Sequence, residues 1–187
     1  MTFDPRSLLE PDHTALAVID IQDKLVPAIH EKERLVRNAV LLLRLARVLR
    51  LPVLVTTQYR KGLGGTLPEI LAEAPGAEEL DKTAFSCFGS EAFRARLAAL
   101  GRRQLLVCGM EAHICVLQTV MAALGDGYEV HVAADAVGSR SESNHGLGLR
   151  RMERAGATVS STEMAIYELL GRSDSAAFKQ MLPFLKG

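Results

Sequence analysis

Apolar residues fall along this chain in two alternating rhythms. Short, nearly continuous apolar runs lie at Thr14–Asp20 (TALAVID), Pro52–Thr57 (PVLVTT), Gln104–Gly109 (QLLVCG), Tyr128–Ala134 (YEVHVAA) and Ala157–Ser161 (ATVSS). A shorter run, Leu80–Phe85, reads as one more small strand. Strands this apolar belong to a sheet covered on both faces. Between them the period changes. Across Glu31–Arg50, Leu35, Ala39, Leu42, Ala46 and Leu49 are spaced four, three, four and three, which makes one helical stripe. Leu41, Leu43, Leu45 and Val48 widen it, as a face meeting a second subunit would require. Helices are also expected over Ser90–Leu100, His113–Leu124 and Ser143–Ala155, closed by Gly101, Gly125 and Gly156. Glycine accepts the left-handed conformation that ends a helix and lets the chain turn into the next strand.

Strand, helix and strand in repetition, with short connections, predict an α/β domain with a parallel sheet between two helical layers. The 187 residues fit one such domain, 1–187. Ligands of these sheets bind beyond the carboxyl ends of the strands, where the winding reverses. The chemistry is therefore sought at Asp20, Thr56–Tyr59, Lys82, Gly109–Cys115 and around Asp135.

Composition narrows the partners. Lys+Arg and Asp+Glu both number 22, and Arg102-Arg103 and Arg150-Arg151 are isolated pairs, so a phosphate-tracking surface and a nucleic-acid partner are not expected. No run of about 18 apolar residues is present, so no membrane span is expected. The polar, acid-bearing MTFDPRSLLEPDH does not read as a leader, and three cysteines without paired spacing argue against a disulfide framework. Both point to a reducing cytoplasm.

Three residues stand out at the expected sheet edge. Cys115, in GMEAHICV, follows a strand and falls in the opening turn of a helix, where free N–H groups and the helix dipole favour a thiolate. Cys108, inside an apolar strand, reads as a small buried hydrophobe, and Cys87 in its loop has no evident role. Asp20 closes the LAVID strand; it is a general base for the thiol or else a strand-end acid. Lys82, in DKTAFSCF, is unremarkable alone but beside an acid and a thiol would stabilise both anions. His113, two residues from Cys115 on a helix, points elsewhere, so a Cys–His pair would need His145. Lys61–Gly65 is Gly-rich but matches neither GxGxxG nor a P-loop, and reads as a mobile loop, a candidate lid.

Asp20 in D-x-Q, Lys82 in D-K-x-x-F-S-x-F and Cys115 in G-x-E-x-H-x-C-V, in this order, resemble the isochorismatase-like cysteine hydrolase family. The stretches Thr56–Glu69, GMEAHICV and Asp135–Ser141 most resemble its branch of isochorismatase domain-containing proteins. The resemblance implies a Rossmann-like three-layer sandwich with a six-stranded parallel sheet in the order 3-2-1-4-5-6. It implies Asp20, Lys82 and Cys115 as catalytic residues. It also implies a cis peptide joining Met110 to Glu111, with the N–H groups of Glu111 and Cys115 as the oxyanion hole. Family members commonly assemble as dimers or larger rings, so a homo-oligomer is expected. The metal motif of the nicotinamidase branch is missing at Thr56-Thr57-Gln58-Tyr59, so neither a metal nor another cofactor is expected. Some members cleave a vinyl ether without a nucleophilic cysteine; Cys115 favours hydrolysis of an amide or related C–N bond through a thioester instead. A catalytically silent interaction protein is the remaining alternative. Pocket walls for a small-molecule substrate are assigned to Gln22, Gln58, Tyr59, Phe85 and Phe88.

Overall fold

In a computed structural model that describes residues 8–186, six strands form one parallel sheet. The strands are β1 (Thr14–Ile19), β2 (Val53–Gln58), β3 (Glu79–Lys82), β4 (Gln104–Met110), β5 (Glu129–Gly138) and β6 (Thr158–Ser160). Their order is β3-β2-β1-β4-β5-β6, so the winding reverses between β1 and β4. The helices are α1 (Lys32–Leu49), α2 (Arg60–Leu63), α3 (Pro68–Glu73), α4 (Glu91–Ala99), α5 (Leu117–Gly125), α6 (Glu142–Arg154), α7 (Thr162–Leu170) and α8 (Ala176–Leu185).

Alternation along the strands divides the core in two. Leu16, Val18, Leu106, Cys108 and Ala133 face α1, α3, α7 and α8; Ala17, Ile19, Leu105, Val107 and Val132 face α4, α5 and α6. This is the expected three-layer sandwich. The wide apolar face of α1 is largely consumed within the chain: Leu43 and Leu45 are buried, and Leu41 and Val48 pack against the same core. It therefore does not by itself argue for a second subunit. The helices at Pro68–Glu73, Thr162–Leu170 and Ala176–Leu185 go beyond those expected from sequence, and they supply most of that cover.

Two local departures shape the functional edge. The fifth strand runs on to Gly138 because its register against β4 slips between Val107 and Gly109, an irregularity that alternation alone does not reveal. Cys115 lies within a π-helical turn, Ala112–Val116, from which α5 starts at Leu117. That helix continues through Gly125, and Gly127 rather than Gly125 takes the positive φ, whereas Gly101 and Gly156 turn as expected. Gly109 (φ 124°) is required by close approach: a Cβ there would stand 2.0 Å from the Ile19 carbonyl oxygen. Small size at this point lets the ends of β1 and β4 come together. No described helix is long and apolar enough to cross a membrane.

Candidate active site

The carboxyl ends of β1, β2, β3 and β4 bring five side chains into one buried cluster. Asp20 follows β1 in the left-handed conformation (φ 53°) and is fully buried. Left-handed backbone is uncommon outside glycine, though aspartate tolerates it better than most residues. Its Oδ2 accepts from Lys82 Nζ at 2.7 Å, and its Oδ1 accepts from Thr56 Oγ1 at 2.7 Å. Lys82 Nζ also donates to Gln58 Oε1 at 2.8 Å. That same amide oxygen lies 4.0 Å from the Cys115 sulfur, within reach of its thiol proton. Burying an ion pair is costly unless its remaining valences are satisfied. Here Thr56 and Gln58 supply those bonds.

The electrostatics of Cys115 differ from the sequence expectation. Its position at a helix start was expected to favour the thiolate. Instead the thiol is pushed up to about 12, first by burial, then by the Asp20 charge, with Lys82 opposing and a hydrogen bond to Asp20 adding to the rise. The dipole of a helix that begins only at Leu117 does not offset the loss of water and a neighbouring carboxylate. The resting group is a neutral thiol whose contact is the Gln58 amide oxygen. Burial likewise pushes Cys87 to about 11 and Cys108 to about 12. Cys87, without a role in the sequence reading, is a buried neighbour of the cluster. Its sulfur is 3.8 Å from Thr56 Oγ1, and its N–H donates to Thr119 Oγ1, which donates to the Cys115 carbonyl.

The Met110–Glu111 peptide bond is cis. The Glu111 carboxylate is turned toward Arg140, accepting from its backbone N–H at 3.0 Å and from Nε at 3.1 Å. His113 Nδ1 meets Ser139 Oγ at 2.9 Å and His145 Nε2 meets the Ala134 carbonyl at 3.0 Å, so the bonds of both rings lie away from the sulfur. Asp135, at another searched strand end, is spent on structure: its Oδ1 accepts from the N–H and hydroxyl of Thr162 at the start of α7.

The residues assigned to pocket walls separate into three groups. Gln22 is fully buried and its amide is saturated by backbone: Oε1 accepts from Gln58 N–H, and Nε2 donates to the carbonyls of Gln58 and Gly64. It is a brace, with no donor left for a ligand. Phe88 packs edge-on against Phe93 and Tyr128 in the core. Tyr59 and Phe85 remain open to solvent, at 51% and 53% exposure, on the loops that follow β2 and β3. The loop expected to be mobile is pinned: Asp23 N–H donates to the Gly65 carbonyl, Lys24 Nζ to Gly62, and Thr66 N–H to Glu79. Among the described residues no group of three or more His, Cys, Asp or Glu side chains is placed to hold a metal ion.

This sheet order, with a cysteine, an aspartate and a lysine at the carboxyl edge, defines the class of α/β hydrolytic folds that the sequence motifs resemble. The chain belongs to the isochorismatase family: residues 14–164 match the isochorismatase domain. Isochorismatase domain-containing protein 2 of Pongo abelii is 38% identical, over 94% of this chain and 84% of the relative. Among solved structures, one described as the MAR1 ribonuclease of Caenorhabditis elegans superposes with a TM-score of 0.91 at 35% identity, covering 97% of this chain and 93% of that one. YcaC of Pseudomonas aeruginosa, solved with hexane-2,5-diol and covalent acrylamide, superposes at 0.90 with 25% identity, covering 98% and 93%. Escherichia coli YcaC, described as an octameric hydrolase of unknown specificity, superposes at 0.90 with 26% identity, covering 97% and 92%. Membership supports a hydrolase.

Proposed function

We propose that this protein hydrolyses a C–N bond of a small amide through a covalent thioester on Cys115, with Asp20 as base and Lys82 as the charge that holds both. The observation that carries the reading is the buried cluster in which Lys82 Nζ bridges the Asp20 carboxylate and the Gln58 amide oxygen, with that oxygen 4.0 Å from the Cys115 sulfur. A substrate carbonyl reaches the sulfur, and Asp20 takes the thiol proton as the S–C bond forms. The N–H groups of Glu111 and Cys115 receive the developing oxyanion. The C–N bond breaks as Asp20 returns its proton to the leaving nitrogen. Water, deprotonated by Asp20, then releases the acid and regenerates the thiol. No metal or cofactor enters these steps. Tyr59 and Phe85 flank the approach, and Gln58 serves the sulfur and lysine.

A small substrate suits a sulfur on a residue only 7% exposed. The covalent acrylamide on YcaC is consistent with small electrophiles reaching such a fold. The zero formal charge gives no support to an RNA substrate for this chain, whatever the activity of the Caenorhabditis relative. The three cysteines are free, which suits a reducing compartment such as the cytoplasm. A homo-oligomer remains part of the reading through the octameric YcaC, with sedimentation as its check.

The test pairs turnover with thiol chemistry. A panel of small amides, with a vinyl ether and a single-stranded RNA alongside, is expected to give turnover on an amide and none on the other two. Asp20→Asn is expected to lower that turnover by about 100-fold or more, since it removes the base. Yet it should speed iodoacetamide labelling of Cys115 below pH 9, because both of Asp20's effects on the thiol raise its pKa. Turnover of the vinyl ether in place of every amide, or full amide turnover in Cys115→Ser, would overturn the proposal.

A further inference from the structure

The amide oxygen of Gln58 takes no part in the bond-making steps proposed above, yet it meets two of their participants. It contacts both the Lys82 ammonium, at 2.8 Å, and the Cys115 sulfur, at 4.0 Å. The same side chain is fixed at its other end, where Nε2 donates to the Thr83 carbonyl at 2.8 Å, so the oxygen must point toward Lys82. Its backbone is fixed as well. Gln22 accepts from the Gln58 N–H at 2.7 Å and donates to the Gln58 carbonyl at 3.1 Å. Two glutamines therefore hold one carbonyl oxygen at a set point between ammonium and sulfur. A simple filler of the space at the end of β2 would need neither the orientation nor the brace.

We infer that Gln58 is a positioning residue that acts through Lys82, sharing the ammonium between Asp20 and the Cys115 sulfur. This rests on the cysteine mechanism proposed above. Left to Coulomb attraction alone, Lys82 Nζ would pair fully with the Asp20 carboxylate, which is already at 2.7 Å. The second acceptor draws the ammonium toward the sulfur, where its charge favours the thiolate formed as Asp20 takes the proton. The amide oxygen also receives the resting thiol proton, and that contact works in the opposite direction because it favours the thiol. Magnitude decides between them. A full ammonium charge in a buried site outweighs a long S–H contact to a neutral carbonyl. Removing the oxygen should therefore make the thiolate harder to form. Lys82→Ala should do the same more strongly.

The experiment measures the rate at which iodoacetamide alkylates Cys115, read by intact mass between pH 7 and 9, with Cys115→Ser as the blank. Gln58→Met is expected to slow alkylation about tenfold at each pH, the size of one lost charge-assisted hydrogen bond. In a Lys82→Ala background the same substitution should add less than about twofold, since a residue that acts through Lys82 has nothing left to act on. Gln58→Glu, which keeps an oxygen for Lys82 but adds a negative charge near the sulfur, should slow alkylation further still, and it decides the matter if the Met variant does not fold. A residue that only holds the loop would give the reverse result, because loosening the strand end exposes the sulfur and speeds labelling. Unchanged or faster alkylation in Gln58→Met, or an undiminished effect in the Lys82→Ala background, overturns the inference. Failure of the underlying cysteine mechanism looks different: Asp20→Asn and Lys82→Ala would then leave the alkylation rate where it is.

Discussion

Two buried polar regions of this sheet differ in what their burial achieves. At the carboxyl ends of β1 to β3, Asp20, Lys82, Thr56 and Gln58 are all withdrawn from water, and each donor finds an acceptor. On β5 and β6, His131 and Ser160 are equally buried, yet neither ring nitrogen of His131 nor the Ser160 hydroxyl has a hydrogen-bond partner. Burial pushes the His131 pKa down, with Glu168 and Glu129 opposing, so it sits as a neutral ring. Convergence, not burial, separates a candidate site from polar groups sealed into a core. A satisfied network fixes geometry, whereas an orphaned group only carries a desolvation cost.

The largest expected effect comes from breaking the ion pair. Lys82→Ala leaves Asp20 buried without its counter-charge and should cost about 3–5 kcal/mol in urea unfolding at pH 7. A loss under 1 kcal/mol would mean that the pair is hydrated in solution. Thr56→Val removes a hydrogen bond to a charged acceptor and should cost about 1.5–3 kcal/mol. His131 tests the other region through pH. Its folded pKa lies below its unfolded value near 6.5, so the unfolded chain takes up the proton first and stability falls as the pH drops below about 6.5. Thermal unfolding of His131→Leu should therefore show a weaker loss between pH 7 and 5 than the parent. An identical acid limb would place the acid sensitivity elsewhere. The smallest effect is expected at Ser160→Ala, within about 0.5 kcal/mol of the parent, because no bond is lost. Were Ser160→Ala to cost as much as Thr56→Val, the contrast between the regions would collapse.

The strands were legible because a sheet buried on both faces demands unbroken apolar runs, and Asp20 and Cys115 stood out beyond the ends of those runs, whereas Lys82 gained meaning only from the motifs that resemble a known family. Gln22 and Phe88 show the limit of such reading. Their types suit a pocket wall, but one is consumed by backbone hydrogen bonds and the other by ring packing. Sequence proximity to a site does not say which way a side chain turns. Thr56 lay in a searched stretch without an assigned role, and Cys87 had none, for the converse reason: a threonine in a strand and a cysteine in a loop acquire their roles only from a partner on another element.

The order of apolar and polar residues by itself determined the α/β architecture and the edge where chemistry would lie, while the pairing of Asp20, Lys82 and Cys115 came from the motifs' resemblance to a family. The first two follow from local periodicity and from where a parallel sheet ends. Only the tertiary structure decided that Cys115 rests as a thiol, that Gln58 joins it to Lys82, and that the broad face of α1 is covered by its own chain. Each depends on desolvation or on a contact between distant segments, and neither quantity exists until the layers have packed.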